Sequence, residues 1–253
     1  NWTRKGTTHN YENAIFLDHA SAAHRFATHF STLKRRVHRI GAHTITTAHD
    51  WIFFLPDDRR LVRQKLLAAI NNAQHTIQLA LYDMTSMSIA RALTAAAQRG
   101  ISITLIYDNE RAQQNQHSIL QQKWFGRAVP CVPARSDALF HHKFALIDGH
   151  LWTGSMNWTR AGMNRNQESI LITKDHTIVD AYRTEFNRLV RRFSLNRTTP
   201  LGSRMAINMS KKSGRKTNAA TGRSKNRCPK FGTQCTIRKI GKLKLPNQFL
   251  ISN

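Results

Sequence analysis

The sequence predicts an α/β fold in which a mixed, largely parallel sheet is flanked by helices, built as one complete unit plus the C-terminal part of a preceding unit. Three observations predict it. From residue 51 onward, strand-like apolar runs alternate with stretches of helical spacing. Asn1-Trp2-Thr3-Arg4 recurs as Asn157-Trp158-Thr159-Arg160, and the likeness continues without a gap through Gly6 and Gly162, Asn10 and Asn166, Glu12 and Glu168, Phe26 and Tyr182, Phe30 and Phe186, and Leu33 and Leu189. Residues 141–156 have no counterpart before Asn1, so the chain is expected to begin inside a repeat.

The elements follow in order. Ala22, Phe26, Phe30, Leu33 and Val37 share one helical face, and Ile178, Tyr182, Phe186, Leu189 and Phe193 repeat it, so each unit is expected to end in an amphipathic helix. Trp51–Leu55 reads as a strand, and Pro56-Asp57-Asp58 supplies turn and N-cap chemistry for a helix reaching about Ala73. A strand over Thr76–Tyr82, an alanine-rich helix over Ser88–Arg99 stopped by Gly100, and a β-branched strand over Ile101–Tyr107 complete a β-α-β-α-β run. A polar helix is predicted over 109–122, then short strands near 129–132, 143–148 and 168–173.

Three segments result: a remnant over 1–50, the complete unit over 51–196, and a basic tail over 197–253 without apolar periodicity, expected to be disordered. A short hairpin over the last dozen residues is the alternative for the end of that tail. Because the remnant lacks strands of its own to lie on, Phe26 and Phe30 are expected to be under-packed.

The net charge of +25 divides unevenly: 14 of the 39 Lys and Arg lie in 197–253, which holds no acidic residue, leaving 25 basic against 14 acidic residues in 1–196. A surface this basic favours polyanions, nucleic acid or anionic phospholipid. Cys131, Cys228 and Cys235 form no C-x-x-C pair and no disulfide framework. No apolar run approaches the roughly 18 residues needed to cross a bilayer.

The chemistry concentrates in the order His141-x-Lys143-x4-Asp148, Gly154-Ser155-x-Asn157, Glu168. On an extended strand, positions two apart share a face, so His141 converges with Lys143 and Ser155 with Asn157, while His142 and Asp148 project oppositely. This ordered set resembles the HKD signature of the phospholipase D superfamily, and the likeness covers residues 51–195. The family more often has six residues between the Asp and the Gly where this chain has five, which shortens a hairpin by one residue.

The resemblance implies a phosphodiesterase in which neutral His141 attacks phosphorus to give a phosphohistidine, Glu168 holds the other ring nitrogen as a donor, and Lys143, Ser155 and Asn157 bind phosphate oxygens. Asp148 belongs to the same catalytic signature, although its place on the far face suits it to fixing the local backbone. Asn1 and Glu12, matched to Asn157 and Glu168, would be the phosphate-binding and carboxylate remnants of a second motif, and the active assembly would be a pseudo-dimer with that first unit or a homodimer. With Lys143 as the cation and no metal-ligand spacing in the chain, neither metal nor cofactor is expected.

For the substrate, a nuclease leads. Asn157-Trp158-Thr159-Arg160-Ala161-Gly162 looks more like the endonuclease-like and mitochondrial branch than the cardiolipin-synthase-like one, Arg127, Arg135, Arg160 and Arg165 could neutralise flanking phosphates, and Trp124-Phe125 could stack bases. A phospholipid-processing enzyme and a non-catalytic nucleic-acid-binding fragment are the alternatives.

Overall fold

The computed structural model describes residues 3–35, 45–46, 50–195 and 247–252. Eight strands form the main sheet in the order β2-β3-β9-β8-β7-β4-β5-β6, where β2 is Ile45–Thr46, β3 Asp50–Leu55, β4 Thr76–Leu81, β5 Ser102–Asp108, β6 Cys131–Ala134, β7 Lys143–Ile147, β8 His150–Gly154 and β9 Glu168–Thr173. The mixed α/β class stands, but the share of parallel pairing is smaller than expected. Only β4–β5 and β5–β6 run parallel. Those strands are joined by helical crossovers, whereas β7 and β8 are joined by a two-residue turn, and so short a connection forces antiparallel pairing.

That turn, Asp148-Gly149, puts both residues at positive φ (43° and 81°), the twist that suits a tight hairpin, and Ile147 pairs directly with His150. The shortened spacing between Asp148 and Gly154 is thus absorbed with the ladder intact. Alternation along each strand then sorts side chains to two faces. Phe53, Leu55, Leu79, Leu105, Ala145 and Ile170 pack under α3 (Arg59–Asn71) and α4 (Met87–Gln98). Ile106, Val132, Phe144, Leu146 and Leu151 pack under α8 (His176–Leu195), which buries Ile178, Tyr182, Phe186, Leu189 and Phe193, each contributing about 1.5–3 kcal/mol.

The repeat is visible as repeated structure. α1 (Arg4–Thr8), β1 (Glu12–Leu17) and α2 (Ala20–Lys34) recur as α7 (Arg160–Asn164), β9 and α8. Even the helix starts agree, since Thr3 Oγ1 accepts from Gly6 N and Thr159 Oγ1 from Gly162 N, both at 3.0 Å. The surroundings differ. α2 rests on the β3–β9 side of the sheet through Ala22, Ile52, Phe54 and Leu171, which leaves Phe26, Phe30 and Leu33 exposed at 44, 68 and 40%, while their counterparts Tyr182, Phe186 and Leu189 are at most 1% exposed.

β10, Asn247–Ser252, pairs antiparallel with the whole of β1 in a separate two-stranded ribbon. Those six residues depart from the tail expected there, because β1 offers them an open strand edge. Residues 197–246, and Asn1 with its assigned phosphate-binding role, lie outside the described residues. Among the described residues no helix is long and apolar enough to cross a membrane.

Candidate active site

One edge of the sheet gathers the chemistry. The register pairs Leu81 with Lys143, Leu55 with Glu168 and Gly154 with Ile170, so the C-terminal ends of β3, β4 and β8 meet the N-terminal ends of β7 and β9. His141 stands two residues before β7. Its approach is held by Asp108 at the end of β5, whose buried carboxylate accepts from Phe140 N at 2.9 Å and from Arg111 N at 2.7 Å.

His141 and Lys143 come together as the two-residue spacing predicts. Lys143 Nζ donates to the His141 carbonyl at 2.8 Å and lies 5.0 Å over the ring of Tyr82, and the same ring meets the His141 imidazole at 4.7 Å between centroids. Burial lowers the Lys143 pKa to about 8; the charges of Glu12 and Glu168 act in the opposite sense. His142 faces the other way, as predicted. It is wholly buried between Phe140 and Phe144, its Nδ1 3.0 Å from Asn13 Oδ1, and burial pushes its pKa down to about 3.

The carboxylate beside the His141 ring is Glu12, not the expected Glu168. Glu12 Oε2 lies 3.1 Å from His141 Nδ1. The approach of β1 explains it: Tyr11 N donates to the Leu139 carbonyl at 2.8 Å and His141 N donates to the Tyr11 carbonyl at 2.9 Å, which carries Glu12 directly to the ring. Glu168 starts β9, and β8 intervenes between β9 and β7, a separation of about 9–10 Å at the usual strand spacing. Its Oε1 instead accepts from Asn166 Nδ2 at 3.0 Å. A carboxylate accepts, so in this contact His141 Nδ1 is the donor.

Ser155 is tied to the same edge, its Oγ accepting from Ser169 N at 3.0 Å, the residue after Glu168. Asn157 Oδ1 is buried with no hydrogen bond to the described residues. Asp148 is remote. It sits in the β7–β8 turn at the opposite end of β7 and accepts from Gln74, His75 and Thr76 N at 2.6, 3.0 and 2.8 Å. Burial alone would raise its pKa, but these three donors together hold it below the ordinary carboxylate value. Its catalytic assignment is therefore replaced by a structural one, clamping the loop after α3 to the hairpin.

Tyr82, Asp108 and Asn13 were not singled out from sequence. Asn13 is the clearest case: its Nδ2 donates to Tyr182 Oη at 2.7 Å while its Oδ1 meets His142, so it pins β1 to α8 and β7 at once. The only available signal was its place beside the repeated glutamate. Of the proposed base-stacking pair, Phe125 is fully buried in the core and Trp124 is 40% exposed.

Comparison with known proteins addresses the same region. Residues 66–190 match the family described as cardiolipin synthase, PLD-like domain. Those residues form a phospholipase D-like domain. A curated relative, mitochondrial cardiolipin hydrolase of Xenopus tropicalis, is 37% identical over 126 residues, which is 49% of this chain and 59% of the relative. The chain thus spans little more than half the length of such phospholipase D relatives. Two solved structures share the fold: NucT from Helicobacter pylori, with a TM-score of 0.51 at 24% identity over 56% of this chain and 95% of that one, and the phospholipase D family member Nuc from Salmonella typhimurium, with 0.51 at 22% over 56% and 93%.

Proposed function

We propose that this phospholipase D-like chain hydrolyses the phosphodiester of an anionic phospholipid through a phosphohistidine on His141. The observation that carries the chemistry is the Glu12–His141 contact with Lys143 beside it: an oriented imidazole and a partly desolvated cation at one sheet edge. His141 Nε2 attacks phosphorus, forming a P–N bond as the P–O bond to the leaving alcohol breaks. Lys143 and the Ser155–Asn157 pair bind the phosphoryl oxygens, where charge builds. Water then attacks phosphorus, its proton passing to the group that protonated the leaving alcohol, and the P–N bond breaks, returning neutral His141 and a phosphomonoester.

The leaving alkoxide needs a proton donor. The repeat supplies the argument for its source: because Glu12 serves His141, the repeat-equivalent Glu168 serves a histidine equivalent to His141 on a second unit or a second copy. Lipid is preferred to nucleic acid as substrate because the matched family and the curated relatives are described by cardiolipin synthesis and hydrolysis. The net charge of +25 fits either polyanion; the nuclease reading keeps Arg127, Arg135, Arg160 and Arg165 as flanking-phosphate contacts.

The test compares cardiolipin and phosphatidylglycerol vesicles with single-stranded DNA and RNA at equal protein concentration in EDTA, with wild type and His141→Ala. Release of phosphatidic acid, lost in His141→Ala and accompanied by an acid-labile phosphoenzyme, is expected. Nucleic-acid cleavage without lipid turnover transfers the assignment to the nuclease reading.

A further inference from the structure

Next to the site runs a groove of about 420 Å³ between α2 and the β3–β9–β8 side of the sheet. Its lining mixes polar and apolar side chains. Asn13 and Ser155 are on it, the first next to Glu12 in sequence and the second a member of the proposed phosphate-binding pair, along with Thr153 and Ser169. Its apolar lining includes Ile15, Phe16, Ala23, Phe26 and Leu171, with Phe16 exposed at 47%.

We propose that this groove holds an acyl chain of the phospholipid whose phosphodiester is bound at His141; the inference rests on the lipid reading above. Continuity with the site selects the occupant. A glycerophospholipid carries its charged phosphate and its hydrocarbon within a few bonds of each other, so a phosphate at His141 and Ser155 brings a chain to the groove that Ser155 lines. Each methylene that leaves water there contributes to affinity. A nucleotide placed in the same channel would set sugar hydroxyls and base edges against Ile15, Ala23 and Leu171, which offer no side-chain donor or acceptor. Of the two rings on the groove, Phe26 already meets Phe54 edge-on at 5.0 Å.

The experiment measures calorimetric binding of monomeric dioctanoyl phosphatidylglycerol and of chain-free glycerophosphoglycerol to the full chain. Wild type is compared with Ala23→Trp, which fills the groove, and with Phe16→Asp, at a position exposed at 47%. The acylated probe is expected to bind about tenfold or more tightly than the chain-free one. Both variants should remove most of that gain and leave glycerophosphoglycerol binding unchanged.

Equal binding of the two probes by wild type, with phosphatidylglycerol still hydrolysed, overturns the groove assignment alone. Absence of any lipid hydrolysis overturns the lipid reading and this inference with it. A gain that survives both variants places the chain elsewhere and overturns the inference. A dimer in sedimentation equilibrium that Phe16→Asp dissociates, with no acyl gain, assigns the groove to a second copy instead.

Discussion

Glu12 and His141 stand 129 residues apart in sequence and 3.1 Å apart in space, joined through Oε2 and Nδ1. Glu12→Gln is expected to let the wrong His141 tautomer compete and to lower kcat by about 10²–10⁴-fold with little change in KM. Nitrogen-15 spectra of His141 should show the loss of the Nδ1–H form in Glu12→Gln and its retention in Glu168→Gln. The reverse pattern would return the orienting role to Glu168.

In the proposed reaction Lys143 should give the alkaline limb. With its pKa lowered by burial to about 8, the ammonium is present below that pH and lost above it, so kcat/KM should fall with a midpoint near pH 8. Stability should move the other way. The penalty for burying the charge is fully present below about pH 8 and is relieved as pH rises toward the unfolded value of 10.5. Lys143→Met should therefore be inactive yet no less stable at pH 7, as read from urea midpoints. Activity undiminished at pH 10 would remove Lys143 as the phosphate-binding cation.

His142 should set part of the acid stability. Its buried ring stays neutral down to about pH 3, so between 6.5 and that value the unfolded chain takes up a proton the native state refuses. Stability should decline over that window by up to roughly 1.4 kcal/mol per pH unit. His142→Gln, able to keep one hydrogen bond to Asn13, should flatten the decline while lowering stability at neutral pH. Parallel pH profiles for the two proteins would show that other groups dominate acid unfolding.

Gly162 presses on the site from the start of α7. A Cβ there would lie 2.3 Å from the Asn157 carbonyl oxygen, too close for any real contact, so Gly162→Ala must move backbone at Asn157. The expected result is a loss of about 1–3 kcal/mol in stability together with a raised KM. Unchanged KM in a destabilised variant would separate Asn157 from phosphate binding.

Much of this was legible before any coordinates. The strand run from Trp51 to Tyr107, the convergence of His141 with Lys143 and the opposite facing of His142 all follow from local periodicity, because a strand repeats every two residues whatever surrounds it. The in-register match that starts at Asn1 and Asn157 likewise announced that a strand and a helix would repeat, as β1-α2 and β9-α8, although not the short helices α1 and α7 before them. Pairing was another matter. Which strands run parallel depended on a two-residue turn at Asp148-Gly149, and which glutamate reaches His141 depended on β1 crossing the start of β7. Sequence marked Glu12 and Glu168 as equivalent; only the strand order, with β8 standing between Glu168 and His141, decided between them, since equal residues in a repeat differ solely by what the rest of the chain packs beside them.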